Sequence, residues 1–235
     1  MALDPPLHSR IKRVLLEQTQ RDKIRHHGFA PMRKLLLIGP PGTGKTMTAA
    51  VLAGETALPL LTIQLDALIT KYMGETAAKL RMVFDAIEQT CGVYLFDEFD
   101  ALGGRRAERN DVGEIRRVLN SFLQFLERDE SDSLVIAATN HPELLDRALF
   151  RRFDAVIEYK LPNSDLAEKV MRATLGALDT SKIDWTQVRD VTSGLSHSEL
   201  TRACQLAAKE AILEGSKQIS TEMLMVALKE KHTTE

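Results

Sequence analysis

The stretch Gly39-Pro40-Pro41-Gly42-Thr43-Gly44-Lys45-Thr46 constrains this chain more than any other. It follows an apolar run, Leu35 to Ile38, and precedes a segment, Thr46 to Glu55, that reads as a helix. A glycine-rich loop between a strand and a helix turns backbone N–H groups toward one point, and the helix N-terminus adds partial positive charge there. Phosphate oxygens suit such a cradle. The spacing G-x-x-x-x-G-K-[ST] puts Lys45 within reach of the β- and γ-phosphates and offers the Thr46 hydroxyl to Mg²⁺. A chance Gly/Pro surface turn would lack the strand before it and the helix after it.

From Leu35 onward strand-like runs alternate with helical patterns. The runs are Leu35–Ile38, Leu60–Leu65, Val93–Phe96, Leu134–Ala138 and Val156–Tyr159. Between them, Glu75 to Gln89 carries Leu80, Val83, Phe84 and Ile87 at helical spacing. Glu114 to Glu127 does the same with Ile115, Val118, Leu119, Phe122 and Leu126. This alternation predicts an α/β fold, a parallel sheet flanked by helices. After Pro162 the strands stop. Asn163 or Ser164, Ser196 or Ser198, and Ser220 are placed to cap successive helices. The expected organisation is an N-terminal lead-in helix over 1–30, an α/β core over 31–162 and a small all-α module over 163–235. Arg10 to His27 reads as a polar surface helix with a weak Ile11, Leu15 stripe.

Two further strand ends carry chemistry. Val93-Tyr94-Leu95-Phe96 runs into Asp97 and Glu98, which at a strand's carboxyl end would face the phosphate loop. Asp97 suits Mg²⁺, and Glu98 suits deprotonating an attacking water. Asn140 closes the Leu134 run. It could bond a γ-phosphate or its water, but an asparagine there is also an ordinary turn residue.

Composition narrows the function. Asp and Glu number 33 against 31 Lys and Arg, a net charge of -2, so no global field draws the chain to nucleic acid. No apolar run approaches the ~20 residues of a membrane helix, and no signal-peptide pattern opens the chain. Cytoplasmic is the default location. Cys91 and Cys204 are expected as buried free thiols within helical patterns.

Taken together, the motifs resemble AAA+ ATPases, and within them the AAA subfamily, over nearly the whole chain. "GPPGTGKT" resembles the Walker A box, "YLFDEFD" Walker B and "ATNHPELLDRALFRRFD" the second region of homology. "KYMGET" looks like a first pore loop, and "SGLSHSEL" is a degenerate form of an element that opens a lid helix. The resemblance implies a P-loop core with a helical lid, ATP and Mg²⁺ as cofactors, and work in a ring, a hexamer. It implies nucleotide contacts from Gly39, Pro40, Pro41, Gly42, Thr43, Gly44, Lys45, Thr46 and Met47. Thr46 and Asp97 would serve the metal, Glu98 the water, and Asn140 would be the sensor-1 residue. Arg151 and Arg152 would be arginine fingers acting on the neighbouring subunit. The usual Arg-Pro-Gly-Arg spacing is absent here, as in branches related to microtubule-severing and endosomal-sorting ATPases. His197 and Ser198 replace the Gly-Ala that lies near the adenine. No sensor-2 arginine is evident; Arg202 reads better as a solvated helix residue.

Lys71-Tyr72-Met73-Gly74 carries the sharpest implication. In AAA unfoldases an aromatic–hydrophobic–glycine loop grips an extended polypeptide. A tyrosine ring gives sequence-tolerant apolar contact with little entropy to lose, and methionine adapts to varied side chains. The alternative is Tyr72 packed at a helix start. Arg105, Arg106 and Arg109 fall where relatives place a second pore or intersubunit loop; a solvated loop is the equal alternative. The implied function is an Mg-ATP-driven protein unfoldase or remodeller, with room for a separate protease or adaptor. No H-E-x-x-H occurs, which excludes a fused zinc protease within these residues. A DNA- or RNA-acting loader or translocase and an ATP-switched assembly module are the other readings. Substrate specificity is expected from a segment outside this stretch or from a partner.

Overall fold

In the computed structural model, residues 2–68, 75–102 and 112–232 are described. They fall into two compact units. One comprises residues 9–39 and 45–159; the other comprises 1–8, 40–44 and 160–235.

The first unit is an α/β sheet domain. Its strands are β1 (Lys34–Ile38), β2 (Leu60–Gln64), β3 (Val93–Asp97), β4 (Leu134–Thr139) and β5 (Ala155–Glu158). They form one five-stranded sheet in the order β2-β3-β4-β1-β5, and every pairing is parallel. β4 is buried along its whole length, β1 except at its two ends and β3 except at Asp97, which is why their sequences run apolar without alternation. β2 is an exposed edge. The register Ile38↔Thr139 and Phe96↔Ala137 brings the carboxyl ends of β1, β3 and β4 side by side.

The helices of this unit are α1 (Pro5–Thr19, counted here from Ser9), α2 (Arg21–His26), α3 (Lys45–Thr56), the single turn α4 (Leu65–Leu68), α5 (Glu75–Gln89), α6 (Val112–Arg128) and the short α7 (Arg147–Phe150). α5 and α6 bury the expected apolar stripe: Leu80, Phe84, Ile87, Val118, Phe122 and Leu126 are all in the core. Phe122 is the hub of an aromatic cluster, with Phe99 at 4.8 Å, Phe96 at 5.1 Å and Phe84 at 5.5 Å between ring centroids.

Two expectations need correction. Arg10–His27 is two helices, not one, and α1 is more than a surface lead-in. Ile11 and Val14 are buried, and Glu17 accepts the Met32 N–H while Gln18 donates to the Met32 carbonyl. The buried pair is thus Ile11 and Val14, three apart, not Ile11 and Leu15. Cys91 is exposed, because α5 ends at Gln89 and Cys91 lies in the link to β3, with its Sγ 3.5 Å from the Asp132 carbonyl. Cys204 is buried as expected, and burial pushes its thiol up to about 12.

The second unit is helical: α8 (Ser164–Thr174), α9 (Trp185–Asp190), α10 (His197–Leu213) and α11 (Thr221–His232). Asn163 caps α8 and Asp184 caps α9. Ser196 rather than Ser198 caps α10, through a full capping box with Glu199. Ala167, Met171, Leu200, Ala203, Cys204, Ala207 and Leu224 lie in its core.

Candidate nucleotide site

In the α/β unit the three strand ends converge through hydrogen bonds. β1 leads into Gly39, whose N–H donates to the Thr139 carbonyl at 3.3 Å. Lys45, in the first turn of α3, donates from Nζ to the Gly39 carbonyl and to Asn140 Oδ1, each at 2.7 Å. Thr46 donates from Oγ1 to Asp97 Oδ2 at 2.9 Å. So Lys45 reaches the β4 end, and Thr46 reaches the β3 end.

Lys45 is only 7% exposed. Burial pulls its ammonium pKa below the ordinary lysine value, and the charges of Asp97 and Asp100 pull it partly back. A buried ammonium whose charged form burial disfavours gains from an added anion. The residues present therefore fit a phosphate group.

Glu98 has a left-handed backbone, φ +52, unusual for a residue with a side chain. The conformation turns the chain sharply out of β3. The Glu98 N–H is taken by Asp97 Oδ1 at 3.0 Å, its carbonyl accepts the Ala101 N–H, and its side chain is left exposed. Strain of this kind costs about 1–3 kcal/mol and concentrates at functional sites.

Asp100 is a participant that sequence reasoning missed. Its Oδ1 accepts from Thr139 Oγ1 at 2.8 Å and from the Asn140 N–H at 3.3 Å. It fixes the backbone from which the Asn140 side chain reaches Lys45. The only sequence signal was the third carboxylate in Asp97-Glu98-Phe99-Asp100. Tyr159 was missed too: its hydroxyl donates to Thr48 Oγ1 at 2.6 Å, and its backbone borders Gly39. The Tyr159 hydroxyl pKa is raised to about 12 by burial.

The helical unit includes loop residues Pro40–Gly44. Thr43 Oγ1 donates to the Pro40 carbonyl at 2.7 Å, and the Ser198 N–H donates to the Gly42 carbonyl at 3.0 Å. Gly42 has φ +70, and a Cβ there would lie 2.5 Å from Ser196 Oγ. Both ring nitrogens of His197 are buried without a hydrogen-bond partner among the described residues.

Other expected site residues fall elsewhere. Met47 is exposed on α3. Arg151 and Arg152 are exposed after α7, and the hydrogen bonds joining Lys45, Thr46, Asp97 and Asn140 do not include them. Lys71, Tyr72, Met73 and Gly74 lie outside the described residues, as do Arg105, Arg106 and Arg109.

A parallel sheet with a phosphate loop after one strand, a carboxylate pair ending a second and an asparagine ending a third defines a P-loop nucleotide-binding protein. Residues 35–161 match the ATPase family associated with various cellular activities (AAA), and the chain belongs to that family of ATPases. It is 39% identical over 212 residues to an uncharacterised AAA family ATPase, y4kL, of Sinorhizobium fredii, covering 88% of this chain and 64% of the relative. It is 34% identical to a proteasome-activating nucleotidase of Methanospirillum hungatei, over 92% of this chain and 54% of that one. It is 35% identical to an ATP-dependent zinc metalloprotease FtsH of Lancefieldella parvula, over 86% of this chain and 33% of the relative. The chain thus spans less than two thirds of the length of each.

Proposed function

We propose that this chain binds and hydrolyses Mg-ATP within a homo-oligomeric ring, a hexamer, in the cytoplasm, and uses the cycle to unfold, thread or remodel a protein substrate. The observation that carries the nucleotide chemistry is the bonded set Gly39, Lys45, Thr46, Asp97 and Asn140. Lys45 neutralises the β/γ-phosphates, with the loop that follows Gly39 as the backbone cradle and Met47 adding a nucleotide contact. Thr46 and Asp97 hold the Mg²⁺, which when bound screens the charge of the transferring phosphoryl group. Glu98 accepts the proton of the attacking water from an exposed position at the strand end. Asn140, held by Asp100 from behind, orients that water or the γ-phosphate.

The Arg151–Arg152 turn supplies the finger in trans. The chain's own Lys45 and Asn140 already meet without either arginine, which supports an outward role for the turn. Action on protein is supported by the relatives, one named as activating a proteasome and one as an ATP-dependent protease. In that reading Lys71, Tyr72, Met73 and Gly74 grip the polypeptide, and a separate protease or adaptor acts downstream.

Two experiments test this reading. Arg151→Ala/Arg152→Ala subunits mixed with Lys45→Ala subunits should hydrolyse ATP faster than either parent alone; no gain at any mixing ratio defeats action in trans. Tyr72→Ala should abolish processing of an unfolded fluorescent protein while ATP binding persists. Full processing by that variant removes the threading role.

A further inference from the structure

In sequence Arg151 and Arg152 are equivalent neighbours. In the structure they are not. Their backbone is fixed on three sides. The Arg152 N–H donates to the Leu149 carbonyl at 3.0 Å. Phe153 is buried and meets Phe99 edge to face, with centroids 6.4 Å apart. The Asp154 carboxylate accepts the N–H groups of Arg33 and Lys34, each at 2.8 Å. On this fixed turn the Arg152 guanidinium is ion-paired with Glu127, in the last turn of α6. The Arg151 guanidinium has no partner among the described residues.

Glu127 is itself on a firm mount. Two residues on, Asp129 holds the Arg33 guanidinium through both its carboxylate and its carbonyl. Asp129, just after α6, and the arginine turn are therefore both tied to Arg33, just before β1. Glu127 and Arg152 are brought together by the fold, not by chance sampling of two long side chains.

We propose that Glu127 is the positioning residue of this turn: it holds Arg152 as an anchor within its own subunit and leaves Arg151 as the one guanidinium that reaches the neighbour's γ-phosphate. This rests on the trans-acting reading above. The Glu127 carboxylate sits on Arg152 Nη1, one arm of the donor fork that a phosphate would need. It also neutralises one of two adjacent cations, which would otherwise repel each other and splay. The partners are 48% and 38% exposed, and a pair this exposed adds little to fold stability. Its effect is on where the turn's charge points.

The test is a charge exchange in the whole chain, Glu127→Arg with Arg152→Glu. It is read by ATPase rate against protein concentration, with fluorescent ATP-analogue affinity and thermal unfolding measured alongside. Arg151→Ala should lower kcat by about 10³–10⁵, the worth of a finger, with affinity retained. Arg152→Glu alone should lower kcat by about 10², as for a misplaced group, and the exchange should restore most of that loss. An exchange variant as slow as Arg152→Glu overturns the proposal, because Arg152 then acts on phosphate itself. Glu127→Gln and Arg152→Gln should each slow turnover by a similar factor, and the double variant should be no slower than either. Additive losses overturn the pairing. If Arg151→Ala leaves kcat and its concentration dependence unchanged, the trans-acting reading fails and the proposal with it; only that outcome points to the earlier reading.

Discussion

Replacing Gly39 with alanine should destabilise the α/β unit more than any other glycine substitution considered below. Gly39 sits where β1 becomes the phosphate loop, with φ +142. An added Cβ would lie 2.3 Å from the Tyr159 carbonyl oxygen, 2.9 Å from its Cβ and 3.0 Å from its carbonyl carbon. Tyr159 cannot step aside. Its N–H donates to the Ile38 carbonyl at 2.7 Å, its hydroxyl is bonded to Thr48, and it is 1% exposed. The backbone conformation itself costs alanine about 1–3 kcal/mol. Relieving the overlap adds about 1–3 kcal/mol, and a stretched hydrogen bond about 0.5–1.5 kcal/mol. The sum is about 2.5–7.5 kcal/mol, or roughly 5–30 °C in Tm for a chain of this size. Urea titration and thermal melting followed by circular dichroism read this directly. Two controls isolate the components. Gly194 also has positive φ, +86, but nothing within 4 Å of an added Cβ, so Gly194→Ala should lose only the conformational part. Gly54, within α3, has open space and no positive φ, so Gly54→Ala should gain about 0.5–1 kcal/mol. A Gly39→Ala variant no less stable than Gly194→Ala would refute the close approach to Tyr159.

Four further outcomes are expected. Glu98→Gln should bind ATP but release phosphate about 10²–10⁴ times more slowly; unchanged turnover removes Glu98 as the base. Asp100→Ala should lower kcat, since it loosens the Asn140 backbone and removes a charge that acts on Lys45; equal activity shows that Asn140 needs no such support. Arg33→Met should destabilise the chain by about 3–5 kcal/mol by leaving the buried Asp129 carboxylate unpaired, and a urea midpoint near wild type would contradict it. Burial lowers the His197 pKa from its ordinary 6.5. Between the lowered value and 6.5 the unfolded chain binds more protons, so stability is complete above 6.5 and declines as pH falls through that window. His197→Gln should flatten that part of the urea-unfolding pH profile, and an unaltered slope assigns it to other groups.

Much of the α/β layout was legible because its signals are local. Apolar runs too short for helices, helical stripes on α5 and α6, and a loop of fixed spacing each report on neighbours within a few residues. The same locality explains the errors. Cys91 reads as buried because it lies close between an apolar helical stripe and an apolar strand, and α1 reads as a surface helix because its contact with Met32 is long-range. Asn140 was ambiguous for the same reason: an asparagine after a strand is a turn residue until a lysine from the start of a distant helix bonds it.

By itself the sequence determined the class of fold, the phosphate loop and which residue types stand at each strand end, since these depend on spacing along one chain. Tertiary structure decided who meets whom. It set Lys45 against Asn140, put Asp100 behind Asn140, pressed Tyr159 against Gly39 and gave Arg152 to Glu127 while leaving Arg151 open. Those choices follow from parallel strand register and from side chains meeting across elements far apart in sequence, and no pattern confined to one segment encodes a distance between two.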